Sequence, residues 1–126
     1  AVPGCIYTDP EIASGGITED EAKAQGIPVK KGKYLMTGNG RSIIDEQERG
    51  FIKVIAHAET DVILGAQLMC ARATDIVSEL STAIVNGLTC AQLASVIRPH
   101  PTFCEGVTEA VEDVHGMAIH LAPKKR

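Results

Sequence analysis

Hydrophobic and polar residues alternate along the first half of the chain with the two-residue period of half-buried β-strands. In the stretch from residue 50 to 58, Ile52, Val54 and Ala56 fall on one side, so at least that face is expected to be buried. The alternation predicts a set of strands: 5–8, a short one including Ile12 and Ala13, 28–37, one beginning at 42–45 after a turn at 38–40, and a hairpin of 50–58 with 62–70.

The second half of the chain changes to a helical period at about residue 74. One apolar stripe ends at Gly87, a common helix stop, and consists of Ile76, Val77, Leu80, Ala83 and Ile84. Threonines with Glu or Gln three residues later predict helix starts at Thr18, Thr89 and Thr102. We expect these helices to run to about Gln25, to a point before Pro99, and to about His115.

Strands followed by helices indicate an α+β fold, with a mainly antiparallel sheet and helices packed on one face. The length of 126 residues fits one domain over 1–126. A net charge of −4 gives no electrostatic reason to expect nucleic acid or an anionic membrane as a partner. The longest apolar run, 62–71, is too short for a membrane span, and no signal peptide is evident. Four cysteines that are expected to stay reduced favour a cytoplasmic protein.

The four cysteines, Cys5, Cys70, Cys90 and Cys104, are widely and irregularly spaced. With no Cys-x-x-Cys pair, we expect four reduced thiols that act mostly as small buried hydrophobic groups. A metal site built from these thiols in space stays open as an alternative. His57 is expected to be a surface or edge residue, and the spacing of His115 and His120 does not suggest a metal site.

The strongest candidate for chemistry is His100, which lies between Pro99 and Pro101 just before a predicted helix. The prolines restrict the backbone around this titratable side chain. Glu105 follows within plausible reach of the imidazole, and a histidine oriented by a carboxylate is suited to general acid/base catalysis. The alternative is that Glu105 only completes a capping box with Thr102. The residues alone leave both interpretations open.

The block from His100 to Glu105, His-Pro-Thr-Phe-Cys-Glu, resembles the His-Pro-Thr-x-Ser-Glu signature of dihydrolipoamide dehydrogenases. These enzymes are flavin-dependent pyridine nucleotide-disulfide oxidoreductases. Segments 2–13, 50–55, 61–66 and 118–120 also resemble the C-terminal interface domain of that family, so the resemblance covers essentially the whole chain. Cys104 departs from the signature serine, a near-isosteric change that leaves the His and Glu positions intact.

The resemblance implies a homodimer in which His100 reaches the redox disulfide and flavin of the partner subunit. His100 would take the proton from a dihydrolipoyl thiol, which makes the thiolate that attacks the disulfide. Glu105 would accept a hydrogen bond from the other imidazole nitrogen. Pro101 would set the loop through a cis His100–Pro101 bond, with Thr102 as a structural residue beside it.

The resemblance also implies a parent enzyme that uses FAD and NAD to oxidise lipoyl-bearing proteins of 2-oxo acid dehydrogenase or glycine cleavage complexes. The sequence has neither a Gly-x-Gly-x-x-Gly loop opening a βαβ unit nor a Cys-x-x-x-x-Cys pair. We therefore expect this chain alone to bind no cofactor or metal and to be inactive. Its start at Ala1 fits a piece of a larger protein.

Two other hypotheses compete with this one. The chain could be a self-association module of a related flavin disulfide reductase, similar to glutathione or mercuric-ion reductases, in which His100 is only structural. From another class, it could be a thiol-based metal-binding protein that uses the four cysteines.

Overall fold

The computed structural model describes residues 3–47 and 49–116. The hairpin predicted around residue 60 is present, and the described elements follow the expected order of strands first and longer helices later. They are β1 (Gly4–Ile6), β2 (Glu11–Gly16), α1 (Glu19–Ala24), β3 (Val29–Leu35), a 3₁₀ turn (Met36–Gly38), α2 (Gly40–Ile44), β4 (Phe51–His57), β5 (Ile63–Cys70), α3 (Ala73–Val85), α4 (Cys90–Ala94) and α5 (Glu105–Val114).

The five strands form one sheet in the order β1-β2-β5-β4-β3, and every neighbouring pair is antiparallel. The expected α+β class with a mainly antiparallel sheet is therefore confirmed. The β4–β5 hairpin contains the central strand of the sheet, β5, and its register shifts between Ile55 and Ala56. No helix in the described part of the chain combines the length and the apolar character needed to cross a membrane.

The two longest helices pack side by side on one face of the sheet, α3 over β2 and β5, and α5 over β3 and β4. The strand residues that point at them, including Ala13, Ile52, Tyr34 and Leu68, are fully buried. Gly32 permits this packing, because a Cβ at that position would lie 2.1 Å from the Ala110 carbonyl oxygen. Aliphatic side chains from the helices complete the core: Ile76, Val77, Leu80, Ala83, Val107, Ala110 and Val111.

Helix α1 covers part of the opposite face, which we call the outer face. Thr18 caps this helix as the sequence predicts, and its hydroxyl accepts the Glu21 N–H at 3.1 Å. The Glu19 carboxylate pairs with Lys31 and Lys53, whose side chains lie on the outer face. The hydrogen bond from Lys53 is the main reason that the pKa of Glu19 is lowered.

Beyond α1, the outer face carries one hydrophobic residue from each strand at a shared register position. This apolar row consists of Ile6, Ile12, Met69, Phe51 and Leu35. Adjacent strands lie about 4.8 Å apart, so the side chains are neighbours. Ile6 is 54 % exposed, Ile12 38 % and Leu35 49 %. Phe51 and Met69 are half-buried, and Lys33 lies over the Phe51 ring, so the row is a partly exposed hydrophobic strip.

Three local predictions need correction. Residues 42–45 are not the start of a strand, because Asn39 caps helix α2 and accepts the Ser42 N–H at 2.9 Å. Helix α4 ends at Ala94, where the Ser95 hydroxyl bonds the Gln92 carbonyl, rather than just before Pro99. Its predicted start at Thr89 is correct, with both hydrogen bonds of the capping box formed.

Helix α5 begins at Glu105 and not at Phe103, and Cys104 is its N-cap in place of Thr102. The Thr102 hydroxyl donates instead to the Pro99 carbonyl at 2.7 Å, which removes it from the capping position. The segment 118–120, which resembles the family's interface domain, and with it His120, lie outside the described residues.

Candidate functional site

His100 lies in the loop between α4 and α5, and its imidazole is oriented by Glu105. Nδ1 is 2.9 Å from Oε1 and 3.0 Å from Oε2 of the Glu105 carboxylate. The His100 side chain is 74 % exposed, whereas that of Glu105 is 31 % exposed. No described residue is hydrogen-bonded to Nε2, so the nitrogen on the far side of the ring is free to meet a ligand or a partner chain.

Glu105 has a structural role as well as its contact with His100. Its Oε1 accepts the backbone N–H of Thr102 at 2.9 Å, which fixes the carboxylate at the start of α5. The sequence left a choice between a helix-start contact and an imidazole partner, and the structure contains both. One carboxylate therefore ties the loop backbone to the helix and holds the His100 ring in one orientation.

Pro99 and Pro101 shape the loop on either side of the imidazole. The His100–Pro101 peptide bond is cis, as the resemblance implied. The Thr102 hydroxyl bridges back to the Pro99 carbonyl and lies 3.2 Å from the Cys104 sulfur. Pro101 and Thr102 thus turn the chain from His100 into α5, and Cys104 adds a side-chain contact to that turn.

Sequence reasoning treated Asn39 as a turn residue and missed its contact with this loop. Asn39 is 4 % exposed, and its Nδ2 donates to the Thr102 carbonyl at 3.0 Å. Its Oδ1 accepts from the Ser42 N–H and the Ser42 hydroxyl, both at 2.9 Å. The Asn-x-x-Ser spacing is a helix N-cap signal and could have identified α2, but not the contact with Thr102.

A cleft of about 270 Å³ opens beside the His100 ring, with Tyr34 and Glu109 among its lining residues. Burial raises the pKa of Tyr34 to about 12, helped by the negative charges of Glu109 and Glu105. Burial also raises the pKa of Glu112, and the nearby Glu109 adds to the effect. The cleft wall on α5 is therefore acidic, and the Tyr34 hydroxyl stays protonated at neutral pH.

The geometry determines which imidazole nitrogen can do chemistry. Because Nδ1 faces a carboxylate, the neutral ring carries its proton on Nδ1 and presents the Nε2 lone pair outward. A base aimed this way accepts a proton from a group outside the described residues. The protonated ring then donates the same proton from Nε2 while Glu105 stabilises the positive charge.

The remaining candidate residues lie apart from this site. All four cysteines are free; Cys70 and Cys90 are buried, whereas Cys5 and Cys104 are half-buried. His57 lies at the end of β4, and its Nδ1 accepts the Glu59 N–H at 3.1 Å. Within residues 3–47 and 49–116, no three His, Cys, Asp or Glu residues are placed together to hold a metal ion.

His115 has a carboxylate partner of its own, at the opposite end of the sheet from His100. Its Nε2 lies 2.7 Å from Asp61 Oδ1, and the same oxygen accepts from Lys30 Nζ at 2.9 Å. Asp61 Oδ2 accepts the Ala91 N–H at 3.0 Å. This pair joins the end of α5 to the β4–β5 turn and to α4, which is a structural role.

The family model and similar curated relatives both assign this chain to the same protein family. Residues 2–111 match the family model of the pyridine nucleotide-disulphide oxidoreductase dimerisation domain. Dihydrolipoyl dehydrogenases from Bacillus subtilis and Thermus scotoductus are 43 % and 41 % identical to the chain over 120 residues. These matches cover 95 % of this chain but 25 % and 26 % of the relatives, so the chain spans about a quarter of their length.

Solved structures agree on the fold. LpdA from Mycobacterium tuberculosis superposes with a TM-score of 0.84 at 24 % identity, covering 90 % of this chain and 25 % of that one. The HOCl-induced flavoprotein disulfide reductase RclA from Escherichia coli gives 0.84 at 23 % identity, covering 88 % and 26 %. With its sheet, its His-Pro-Thr loop and these relatives, the chain belongs to the dimerisation-domain family of the pyridine nucleotide-disulphide oxidoreductases, of the dihydrolipoamide dehydrogenase type.

Proposed function

We propose that this domain supplies the acid/base pair of a dihydrolipoamide dehydrogenase, with His100 as the proton-transferring group and Glu105 as its orienting partner. The observation that carries the proposal is the pairing of His100 Nδ1 with the Glu105 carboxylate at 2.9 Å, combined with the exposure of the ring. An imidazole that is buried, or whose two nitrogens are both hydrogen-bonded within the domain, could not accept a proton from another molecule.

The pair is one half of a site, and the other half comes from the partner subunit of a homodimer. Membership of the dimerisation-domain family supports dimer formation. His100 Nε2 is hydrogen-bonded to no described residue, and all four cysteines are free thiols, Cys104 among them. The disulfide that reacts with the substrate would therefore be presented to His100 by the partner chain.

In the proposed reaction, Nε2 of His100 removes the proton from one thiol of a dihydrolipoyl group. The resulting thiolate attacks one sulfur of the partner's disulfide, which forms a mixed disulfide and releases the other cysteine as a thiolate. After His100 has passed the first proton to the released cysteine thiolate or to solvent, Nε2 removes the proton of the second substrate thiol. The second thiolate then attacks the substrate sulfur of the mixed disulfide and displaces the cysteine still bound there, which leaves oxidised lipoyl and a reduced cysteine pair. Glu105 favours each removal of a proton by His100 because its negative charge stabilises the imidazolium that forms.

FAD and NAD, bound by other parts of the parent enzyme, would supply the electron acceptors for the reduced cysteine pair. The described residues fit that division: Gly38 follows β3 and Gly40 begins α2, but Ile43 stands where a dinucleotide-binding loop has its third glycine, and the sheet is antiparallel. The substrates would be lipoyl-bearing proteins of 2-oxo acid dehydrogenase or glycine cleavage complexes, in the cytoplasm. The 126-residue chain alone would be inactive.

Subunit complementation tests the proposal directly. In the full-length enzyme, one homodimer carries His100→Gln and another carries a serine in place of a redox cysteine, and each is expected to lose activity by at least about 100-fold. Subunit exchange between them creates hybrids with one intact composite site. Recovered dihydrolipoamide oxidation supports the proposal. A mixture that exchanges subunits but stays inactive contradicts it.

A matched control separates the acid/base role from simple folding. His57→Gln removes a histidine at the end of β4, far along the sheet from the loop that carries His100. The proposal requires this variant to keep its activity. It also requires Glu105→Gln to reduce kcat more than it changes KM, because the carboxylate acts on the proton transfer and touches no substrate.

A further inference from the structure

Arg98, two residues before His100, has a buried cationic side chain, although its neighbours from 95 to 100 are all exposed. Its side chain is only 4 % exposed, whereas the preceding Ile97 is 96 % exposed. The loop from 95 to 104 contains no helix or strand of its own. Arg98 therefore fixes the first part of this loop, whereas Phe103 and the hydrogen bond from Asn39 to Thr102 fix its end.

The guanidinium of Arg98 binds two different helices. Nη2 donates to the Glu79 carboxylate on α3 at 2.9 Å, and Nη1 donates to the Thr108 hydroxyl on α5. Nη1 also lies 3.4 Å from the Val96 carbonyl in its own loop. Thr108 is one helical turn after Glu105, so one side chain joins the loop of His100 to the helix of Glu105 and to α3.

The exposed His100–Glu105 pair does not by itself explain the fixed position of the ring. Exposed ion pairs contribute about 0–1 kcal/mol, which is too little to hold a flexible loop in one geometry. Arg98 is nearly free of solvent, and its planar fork can reach two acceptors at once. A lysine at this position could offer only one ammonium group to the two acceptors.

The buried Nε of Arg98 has no hydrogen-bond partner among the described residues. A buried donor without an acceptor lowers the stability of the folded state. A buried ion pair is frequently no more stabilising than apolar side chains of the same size. Global stability is therefore a poor explanation for this arginine. The geometry of the loop that it imposes explains it better.

We propose that Arg98 is a positioning residue that sets the distance and angle between His100 and Glu105 by joining their segments. The proposal rests on the proposed function for its catalytic consequence. Its structural part stands alone. Displacing a reacting group by about 1 Å can reduce a rate by on the order of 100-fold, so a modest movement of this loop matters.

The structural part is tested on the 126-residue chain by NMR of the His100 ring nitrogens. Arg98→Met keeps much of the side-chain volume. In this variant we expect the His100 ring to lose the single signal of its Nδ1-protonated form, while the rest of the spectrum remains that of a folded protein. Arg98→Lys should not restore that signal. An unchanged His100 signal in Arg98→Met, or full restoration by lysine, overturns the proposal.

If Arg98→Met does not fold, two milder variants give the same test. Thr108→Val removes only the contact with α5, and Glu79→Gln weakens only the contact with α3. Each should broaden or shift the His100 signal, whereas Asp75→Asn on the exposed side of α3 should not. Unchanged His100 signals in both milder variants overturn the proposal.

The catalytic part is tested in the full-length enzyme. Arg98→Met should lower kcat by about 10- to 100-fold with little change in KM. If the His100 signal changes but kcat is retained, Arg98 positions the ring and the proposed role of His100 as base fails. If His100→Gln abolishes activity but Arg98→Met alters neither kcat nor the NMR signal, the positioning role fails and the proposed function stands.

Discussion

The amide of Asn39 donates from Nδ2 to the carbonyl oxygen of Thr102 at 3.0 Å and thereby joins the start of α2 to the loop that carries His100. The two residues are 63 positions apart in the sequence. Because Asn39 is buried and also caps α2, it couples the position of that helix to the position of the imidazole. The position of the proposed acid/base pair is therefore linked to a residue outside the pair.

Replacing Asn39 by alanine should lower the free energy of unfolding by about 1–3 kcal/mol. The change leaves the Thr102 carbonyl without its donor and removes the cap of α2. Urea denaturation monitored by circular dichroism measures the loss.

Asn86→Ala is a suitable control because the Asn86 amide makes its hydrogen bond in an exposed position at the end of α3. Its cost should be about 0.5 kcal/mol or less. Equal costs for the two variants would show that the link between Asn39 and Thr102 adds nothing to the fold.

The isolated chain should self-associate through the apolar row on the outer face. Sedimentation at micromolar concentration is expected to show a dimer, since an exposed apolar strip of this kind drives association. Ile12→Thr combined with Leu35→Thr keeps branched side chains in the strands and should shift the protein towards monomer. Val85→Thr, at an exposed position outside the row, should have no effect. Undiminished association in the double variant would assign the contact to another surface.

Asp61 should make the fold sensitive to acid. Burial alone would raise the pKa of Asp61, but hydrogen bonds from Lys30, His115 and the Ala91 N–H outweigh it, and the pKa is lowered. The carboxylate therefore stabilises the fold above the usual aspartate pKa of 3.8, and this contribution is lost as the pH falls through the lower pKa of the folded state.

Asp61→Asn should accordingly reduce the free energy of unfolding at about pH 6, and the difference from the unsubstituted chain should shrink towards about pH 3. Urea titrations across this range measure the effect. Asp75→Asn serves as the control, because the Asp75 side chain is 77 % exposed. A difference that stays constant with pH would mean that the ionised carboxylate is not the stabilising form.

The cysteines should divide into two reactivity classes. Burial raises the pKa of both Cys70 and Cys90 to about 12, so hardly any thiolate is present at neutral pH. Iodoacetamide at about pH 8 should leave these two unmodified in the folded chain, while the half-buried Cys5 and Cys104 react. Peptide mass spectrometry identifies the sites, and urea should expose all four. Rapid native labelling of Cys70 or Cys90 would contradict the described core.

The sequence was informative where the determining interactions are local. The β4–β5 hairpin follows from alternation on both sides of a polar turn, and the His100–Glu105 contact spans only five residues. Helix α2 was missed because its short sequence contains two isoleucines, which favour strands, and the cap at Asn39 outweighs that preference. Propensity is a weak guide when one capping residue decides a five-residue element.

Other features depend on tertiary contacts that no local pattern contains. Arg98 is hydrogen-bonded to Glu79, 19 positions away in the sequence, and Asn39 is hydrogen-bonded to Thr102, 63 positions away. Thr102 was predicted as a helix cap, but the turn at Pro99 redirects its hydroxyl and leaves α5 to begin at Glu105. The partners of Arg98 and Asn39 become apparent only once the helices lie on the sheet, whereas the contact between Thr102 and Pro99 depends on the shape of the loop itself.

The protonation site of His100 tests the central claim most directly. Nitrogen-15 NMR of neutral imidazole rings, recorded at about pH 9, distinguishes a ring protonated at Nδ1 from one protonated at Nε2. His57 provides an internal reference, because its Nδ1 accepts the N–H groups of Glu59 and Thr60 and its proton must lie on Nε2. The account predicts that His100 is protonated at Nδ1, opposite to His57, and that Glu105→Leu removes this preference. A His100 ring protonated at Nε2, or one indifferent to Glu105→Leu, would contradict the assignment of this pair as an oriented acid/base group.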